Sequence, residues 1–462
     1  MAGIGFELRK MLEKDSYFHD LVAFSYAALL SSGPWVLSIL CLAVLGFYRT
    51  TGLTLSEHEV FRSTVIYTYA FSLIFTGVSQ LVVTRYLADQ LYVKEHRYTM
   101  RTLCTSACLT LVVGAPVAVL FYLPFQLSAL YKFFAVLAFL VVCLIWLAMV
   151  FLSVIKDYNS IALGFFVGSA CSVAGAMYLK GPMGMEGYLL GFVIGQAVIF
   201  FWLFSRLLAE FPDAPAWDRG LMRYFLSHWE LPVIGLAYNL GIWMDKIVFW
   251  VADEGARTIR PYLVTHDLYE GPVFVAYLTV VPALAIFLLK METRFYECYR
   301  RYYARVVEKS SFASILREKE QMVDVLKKGF REVLILQGAV TALCMIFAPG
   351  LAQVFRFDPL QMPILRIAFM GAFFQVLLII CIVVLFYFDL RRDVLAVAIA
   401  FVLSNAALTW WTIQQGLGYY GYGYCYACLI SLVLAFSLLS RALDSLEYLT
   451  FTKQPAFARR RP

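Results

Sequence analysis

Charge is scarce in this sequence. Of 462 residues, only 15% are Asp, Glu, Lys or Arg, and 62% are hydrophobic. An ordinary soluble domain has about 25% charged and roughly 45–50% apolar residues. A water-soluble fold could not cover so much apolar surface, so an aqueous globular enzyme or binding module is excluded. Histidine is scarcer still. There are five, His19, His58, His96, His228 and His266, scattered over different loops, which leaves no His-rich metal centre. No GxxxxGK[ST] is present, which removes a P-loop ATPase. HExxH and GxSxG are also missing, which removes the zinc-protease and serine-hydrolase patterns. The apolar runs lack period-two alternation, so they are helices and not the strands of a membrane barrel. No cleavable signal sequence is expected, because the first apolar run is too long and has no small-residue cleavage site.

What is abundant is uninterrupted hydrophobicity. A spanning helix needs roughly 20 apolar residues, and twelve stretches qualify: 21–47, 63–83, 103–123, 131–155, 159–179, 187–205, 231–251, 272–290, 333–355, 365–388, 393–414 and 424–447. Basic residues orient them, since cytoplasmic loops collect Lys and Arg. With the N-terminus inside, 29 of the 38 Lys and Arg fall in or beside cytoplasmic segments. One missed helix would invert every later loop, so this split supports an even count with both ends cytoplasmic. The pI near 8.8 therefore reflects cations facing anionic lipid headgroups, and not a nucleic-acid partner.

The expected fold is an all-α integral membrane protein, with two six-helix lobes around a central cavity. An even number of helices makes the halves parallel repeats. Thr84-Arg85-Tyr86 ends the second helix and Thr293-Arg294-Phe295 ends the eighth, 209 positions later; the same offset carries Leu21 onto Glu230. The organisation is then an amphipathic cytoplasmic N-terminus (1–20), a first lobe (21–205), a linker (206–230) with Pro212, Pro215 and Trp217, a second lobe (231–447) and a basic tail (448–462). The second lobe carries a cytoplasmic insert at 290–332, with eleven basic and seven acidic residues. It reads as an extension of helix 8 followed by an amphipathic helix near 312–329. It is either a solvated connector or a dock for a cytoplasmic partner.

Polar residues inside the spans carry the functional expectation. A charge at mid-membrane costs at least about 2.5–3.5 kcal/mol and usually faces a cavity or a partner. Asp245 and Lys246 lie in the seventh span. Adjacent residues project about 100° apart on a helix, so they need not pair with each other. Asp245 is a candidate for a proton, a cation or a basic substrate group; the alternative is a polar contact between helices. Asn239 and Gln80 are further transport-path candidates, against the default that membrane amides join helices. Gln196, Asn405, Gln414 and Gln415 read the same way more weakly. Trp35 and Trp243 stand one residue off the 209 offset and could stack on sugars, with packing as the alternative. Ser31-Ser32-Gly33-Pro34 and Pro282 interrupt helices 1 and 8, since proline frees a carbonyl; Gly33, Pro34 and Pro282 are the helix-bending candidates. Tyr419, Tyr420, Tyr422 and Tyr424 mark the outer end of the last helix, as an aromatic belt or as a sugar-stacking exit. His266-Asp267 in the outer loop 253–271 is the one conceivable catalytic pair, and structural roles are the alternative. Cys425 and Cys428 form a single CxxC without a second pair, which reads as small buried hydrophobes. No catalytic residue, cofactor or metal is expected.

The run Met1-Ala2-Gly3-Ile4-Gly5-Phe6-Glu7-Leu8-Arg9-Lys10, followed by Ala28-Leu29-Leu30-Ser31-Ser32-Gly33-Pro34-Trp35, resembles the PelG family of inner-membrane exopolysaccharide transporters. The resemblance extends over the chain in length, helix number and the insert after helix 8. It implies a MATE-like flippase fold of two lobes with an alternating cavity. It also implies a bacterial inner-membrane location and a polysaccharide substrate built from N-acetylated amino sugars. A cytoplasmic PelF-like glycosyltransferase and PelD-like and PelE-like membrane proteins would be its partners. It supplies no binding residue. The competing readings are an ion-coupled exporter or lipid-linked oligosaccharide flippase, a membrane-embedded glycan-modifying enzyme, and a scaffold that anchors a synthase without transporting.

Overall fold

A computed structural model describes residues 36–38, 40–41, 44–45, 53–93, 98–155, 157–214, 216–252 and 255–453. The expected amphipathic N-terminus, most of the first span with Gly33, Pro34 and Trp35, and the tail from 454 onward lie outside the described residues.

Helix α1 (Leu55–Tyr92) opens on a capping box. Thr54 Oγ1 accepts from the Glu57 amide, and Glu57 Oε2 accepts from the Thr54 amide at 2.7 Å, so two otherwise unsatisfied donors are met. Helices α2 (Tyr98–Tyr122) and α3 (Ala129–Ile155) follow. Helix α4 runs from Tyr158 to Glu210, 53 residues. A straight helix of that length would span about 80 Å, far more than a bilayer core of about 30 Å. It does not stay straight. Gly184 has φ 60 and ψ −133, and Pro182 lies beside it, so the helix folds back there. The two arms pack closely: Ser172 Oγ donates to the Phe192 carbonyl at 3.2 Å. A methyl built on Gly191 would stand 2.1 Å from the Ala176 amide nitrogen, and one on Gly195 would stand 2.4 Å from the Gly168 carbonyl. Small residues permit this backbone approach, and van der Waals contact is what holds helices together in lipid. The spans expected at 159–179 and 187–205 are these two arms.

The linker contains a short helix α5 (Arg219–Ser227). Helix α6 (Glu230–Ala252) follows, then a two-stranded antiparallel hairpin, β1 (Arg257–Arg260) and β2 (Leu263–Thr265). This hairpin departs from the all-α expectation. The loop turns at Pro261-Tyr262, with Tyr262 at φ 69, which lets so short a segment pair with itself. The eighth span is two helices, α7 (Asp267–Leu278) and α8 (Val281–Lys290). Pro282 sits in the first turn of α8, where its missing N–H costs nothing. A π-helical turn (Met291–Phe295) carries the chain into α9 (Tyr296–Val307).

Helix α10 (Phe312–Ile346) joins the insert's amphipathic helix to the next span without a break, and the short α11 (Ala348–Val354) follows it. The change of polarity along the sequence suggests separate pieces, but helical geometry does not require a break where polarity changes. Helices α12 (Gln361–Tyr387), α13 (Arg391–Gln414) and α14 (Tyr422–Asp444) complete the array.

Nine stretches among the described residues are long and apolar enough to cross a membrane. Helix α4 counts once, although it has two arms. Helix α6 is not among them, because Asn239, Asp245 and Lys246 lower its mean hydropathy. Helices α1–α4 pack together, α6 packs against α13, and α14 packs against α12 and α13. Large apolar side chains such as Leu120, Phe166, Phe201, Leu403 and Val433 remain exposed. That surface suits lipid tails and would be a liability in water.

The insert is not a free arm. Lys319 Nζ pairs with Glu447 at 2.7 Å, Arg301 pairs with Glu318 at 3.3 Å, and Lys290 pairs with Glu332 at 2.9 Å. Tyr302 Oη bonds Thr450 Oγ1 at 3.1 Å. The first and last of these hold α10 and α9 against the turns that follow α14 (446–453), and the other two tie the insert and its flanking helices to one another.

Candidate transport site

Helix α6 is the common neighbour of the two groups of helices. On one side it crosses α1 at Gly77 and Gly235, where a methyl on Gly235 would stand 1.9 Å from the Gly77 carbonyl oxygen. On the other side it meets α13. Asn405 Nδ2 donates to the Gly241 carbonyl at 2.9 Å, and Phe401 fills the space a side chain at Gly241 would need.

Asp245 and Lys246 lie one turn further along α6, beyond Gly241. Asp245 is 0% exposed and Lys246 7%. The two pair with each other, which helical projection alone did not require. The long lysine chain folds back so that Nζ lies 3.0 and 2.9 Å from Asp245 Oδ1 and Oδ2. Nζ also donates to the Ile242 carbonyl at 3.3 Å. The Tyr269 hydroxyl, from α7, donates to Asp245 Oδ2 at 2.6 Å. Three rings surround the ammonium, with centroids at 5.0 Å (Tyr277), 5.7 Å (Trp243) and 5.7 Å (Tyr424). This spacing is that of cation–π attraction. The Tyr424 hydroxyl in turn donates to Gln375 Oε1 on α12. Three helices, α6, α7 and α14, therefore meet at one hydrogen-bonded ion pair, and α12 is tied to it through Tyr424.

The other sequence candidates are distributed unevenly. Trp243 joins this cluster. Asn239 Nδ2 donates to the Gly235 carbonyl at 2.9 Å, and Gln80 Nε2 donates to Thr76 Oγ1 at 3.1 Å, so each amide bonds to its own helix. Both are half-buried where α1 and α6 run together. Asn405 joins two helices, as membrane amides commonly do. The four tyrosines separate. Tyr420 and Tyr424 are buried, at 8% and 1%, whereas Tyr419 is 50% exposed and Tyr422 is half-buried beside it, ring to ring at 6.0 Å. The exit row expected from the sequence is thus divided: Tyr419 and Tyr420 belong to the turn before α14, Tyr422 and Tyr424 to its first turn, and Tyr420 and Tyr424 point into the protein.

His266 and Asp267 are taken by different neighbours. The His266 ring is fully buried against Phe249 and Tyr420, while the Asp267 carboxylate pairs with Arg62 of α1 at 2.5 Å. The cysteines, Cys425 and Cys428 included, are free thiols. Among the described residues no cluster of three His, Cys, Asp or Glu could hold a metal.

Further contacts close the space between α1 and the later helices at both ends. At the hairpin end the Tyr67 hydroxyl donates to the Val264 carbonyl at 2.6 Å, and Arg257 pairs with Glu59 at 2.9 Å. Glu270 accepts from Trp250 Nε1 at 2.6 Å and from the His266 amide at 2.9 Å. At the opposite end Arg85 reaches Asp389 at 3.7 Å. Tyr269, Tyr277 and Gln375 were not chosen from the sequence; tyrosine and glutamine in apolar runs carry no local sign that they converge on a charge 24 to 130 positions away.

Comparison with known proteins adds to this geometry. The family model PelG, described as "Putative exopolysaccharide Exporter (EPS-E)", matches residues 1–451. No curated protein matches the sequence. Among solved structures, a mutant MATE protein superposes with a TM-score of 0.66 at 11% identity, covering 92% of this chain and 96% of its own. A MOP superfamily transporter from Pyrococcus furiosus gives 0.64 at 12%, with coverage of 92% and 96%. An outward-facing multidrug resistance MATE family transporter gives 0.63 at 12%, with coverage of 93% and 96%. At such identities the likeness is one of fold: the helices are arranged as in MATE-like transporters.

Proposed function

This chain belongs to the PelG family of exopolysaccharide exporters, and we propose that it carries a Pel-like amino-sugar polymer across the bacterial inner membrane. By family and fold it is a multi-pass membrane transporter and not an enzyme. The observation that carries the reading is the family match over almost the whole chain, on a fold shared with transporters.

In the proposed arrangement, twelve helices form two six-helix lobes with both termini in the cytoplasm. The nine spanning stretches support this count, with the second arm of α4, helix α6 and the apolar run 21–47 of the sequence as the other three. The parting surface lies between α1 and α6. Asp245, Lys246 and Trp243 sit on the second-lobe side of that path, and Asn239 and Gln80 lie along the crossing. Tyr419 and Tyr422 stand at the mouth. Pro282, at the junction of α7 and α8, is the place where the eighth span bends; Gly33 and Pro34, candidates for the same part in the first span, lie outside the described residues. A neutral acetylated polymer suits such a path. Amides and ring faces bind sugars without a net charge, and the buried Asp245–Lys246 pair is internally balanced.

The partners are a cytoplasmic PelF-like glycosyltransferase and PelD-like and PelE-like membrane proteins. The insert, held against the turns that follow α14 by Lys319 and Glu447, is a firm platform for them. Deleting the chain from cells that retain the synthase tests the function. Intracellular polymer with none secreted is the expected phenotype, and normal secretion would refute it.

A further inference from the structure

A carboxylate buried in a membrane helix is expensive unless its charge is balanced. Asp245 receives the Tyr269 hydroxyl at 2.6 Å and the Lys246 ammonium on both oxygens, at 2.9 and 3.0 Å. An ammonium has three N–H donors and no acceptor. Here the carboxylate and the Ile242 carbonyl take them, and the faces of Trp243, Tyr277 and Tyr424 lie around the nitrogen. Nζ thus makes the contacts that a bare monovalent cation would make at the same point: carboxylate oxygens, a backbone carbonyl and π faces. The two charged residues are also consecutive on one helix. Any rigid movement of α6 carries both, so the pair stays together whether the lobes open or close.

We propose that Lys246 is a tethered counter-ion that permanently fills the cation position beside Asp245, so that this carboxylate binds no transported sodium or similar ion. This rests on the exporter reading and deepens it. Among the described residues Asp245 is the carboxylate buried inside an apolar helix, where a coupling ion would be sought, and the ion's place is occupied by a cation that cannot leave. The drive for export then comes from elsewhere, and a polymer pushed by its own synthesis needs no ion at this site.

The test uses the purified full chain in lipid nanodiscs and does not depend on polymer export. Thermal unfolding is followed while sodium or lithium chloride replaces choline chloride at constant ionic strength. The wild-type melting temperature is expected to be the same in all three salts. Lys246→Ala removes the three outer methylenes and the ammonium, the outline of propylammonium. Its lowered melting temperature is expected to rise saturably with propylammonium and not with choline, which has no N–H to donate. A saturable sodium or lithium shift in the wild type that Asp245→Asn abolishes would overturn the proposal. So would a folded Lys246→Ala that is indifferent to propylammonium. Should Lys246→Ala be recoverable only when propylammonium is present throughout purification, the proposal is supported. Should it not be recoverable at all, the wild-type salt series decides. A cell that secretes polymer without this chain would refute the exporter reading and leave these melting curves untouched.

Discussion

Gly235→Ala should shift the protein away from the arrangement described here without unfolding it. A methyl on Gly235 would lie 1.9 Å from the Gly77 carbonyl oxygen and 3.6 Å from Leu81 Cδ1. The first contact is with backbone, so no side chain can swing aside. Ordinary contact begins near 3.4 Å, and α1 and α6 must therefore part by about 1.5 Å at the crossing. Forcing an extra methyl into a packed contact costs about 1–3 kcal/mol. The closed arrangement would be disfavoured by that amount relative to one in which the helices separate. Each 1.4 kcal/mol is about tenfold in population, so the change is between roughly fivefold and a hundredfold. Spin labels on the exposed ends of α1 and α6 would report it by pulsed electron resonance. A longer mean distance, with a melting temperature close to that of the wild type, is expected. An unchanged distance distribution would show that α1 and α6 do not meet at these glycines.

A clash inside one group of helices should behave differently. Gly191→Ala drives a methyl to 2.1 Å from the Ala176 amide nitrogen, whereas nothing lies within 4 Å of a methyl on Gly181. The first should destabilise by about 2–3 kcal/mol and the second should be neutral or slightly stabilising; denaturant titration of the two variants checks the contrast. Tyr269→Phe removes one charge-assisted bond to Asp245 while Lys246 stays in place. It should cost about 1.5–3 kcal/mol by the same titration, with secretion retained. Asp218→Ala removes the acceptor of Thr102 Oγ1 at 2.8 Å, Tyr86 Oη at 3.1 Å and the Gly220 amide at 2.9 Å. Loss of that helix cap should cost about 0.5–2 kcal/mol and expose the 206–230 linker to limited proteolysis.

Much of the fold was legible because lipid imposes a simple rule. Long apolar runs mark helices, and a polar break such as 180–186 marks the fold-back at Gly184. The hairpin at 257–265 was not legible, since nine residues with a proline in the middle look like any outer loop. Breaks were read from polarity, and so the joining of the insert to α10 was missed. In the site, Asp245 and Lys246 stood out as charges among apolar neighbours. Their surroundings did not, because Tyr269, Tyr277, Gln375 and Tyr424 come from three other helices and are joined to α6 only by tertiary packing. Gln80 and Asn239 were singled out as polar, but a residue's polarity does not disclose that it bonds to the preceding turn of its own helix.

Export by this chain is tested most directly in inverted inner-membrane vesicles that carry it with its candidate glycosyltransferase and are fed UDP-sugar with no imposed ion gradient. Polymer made outside the vesicles is expected to become enclosed and protected from a glycosidase only when this chain is present. Polymer that is made but stays fully accessible, with the chain and its membrane partners present, would contradict export by this chain.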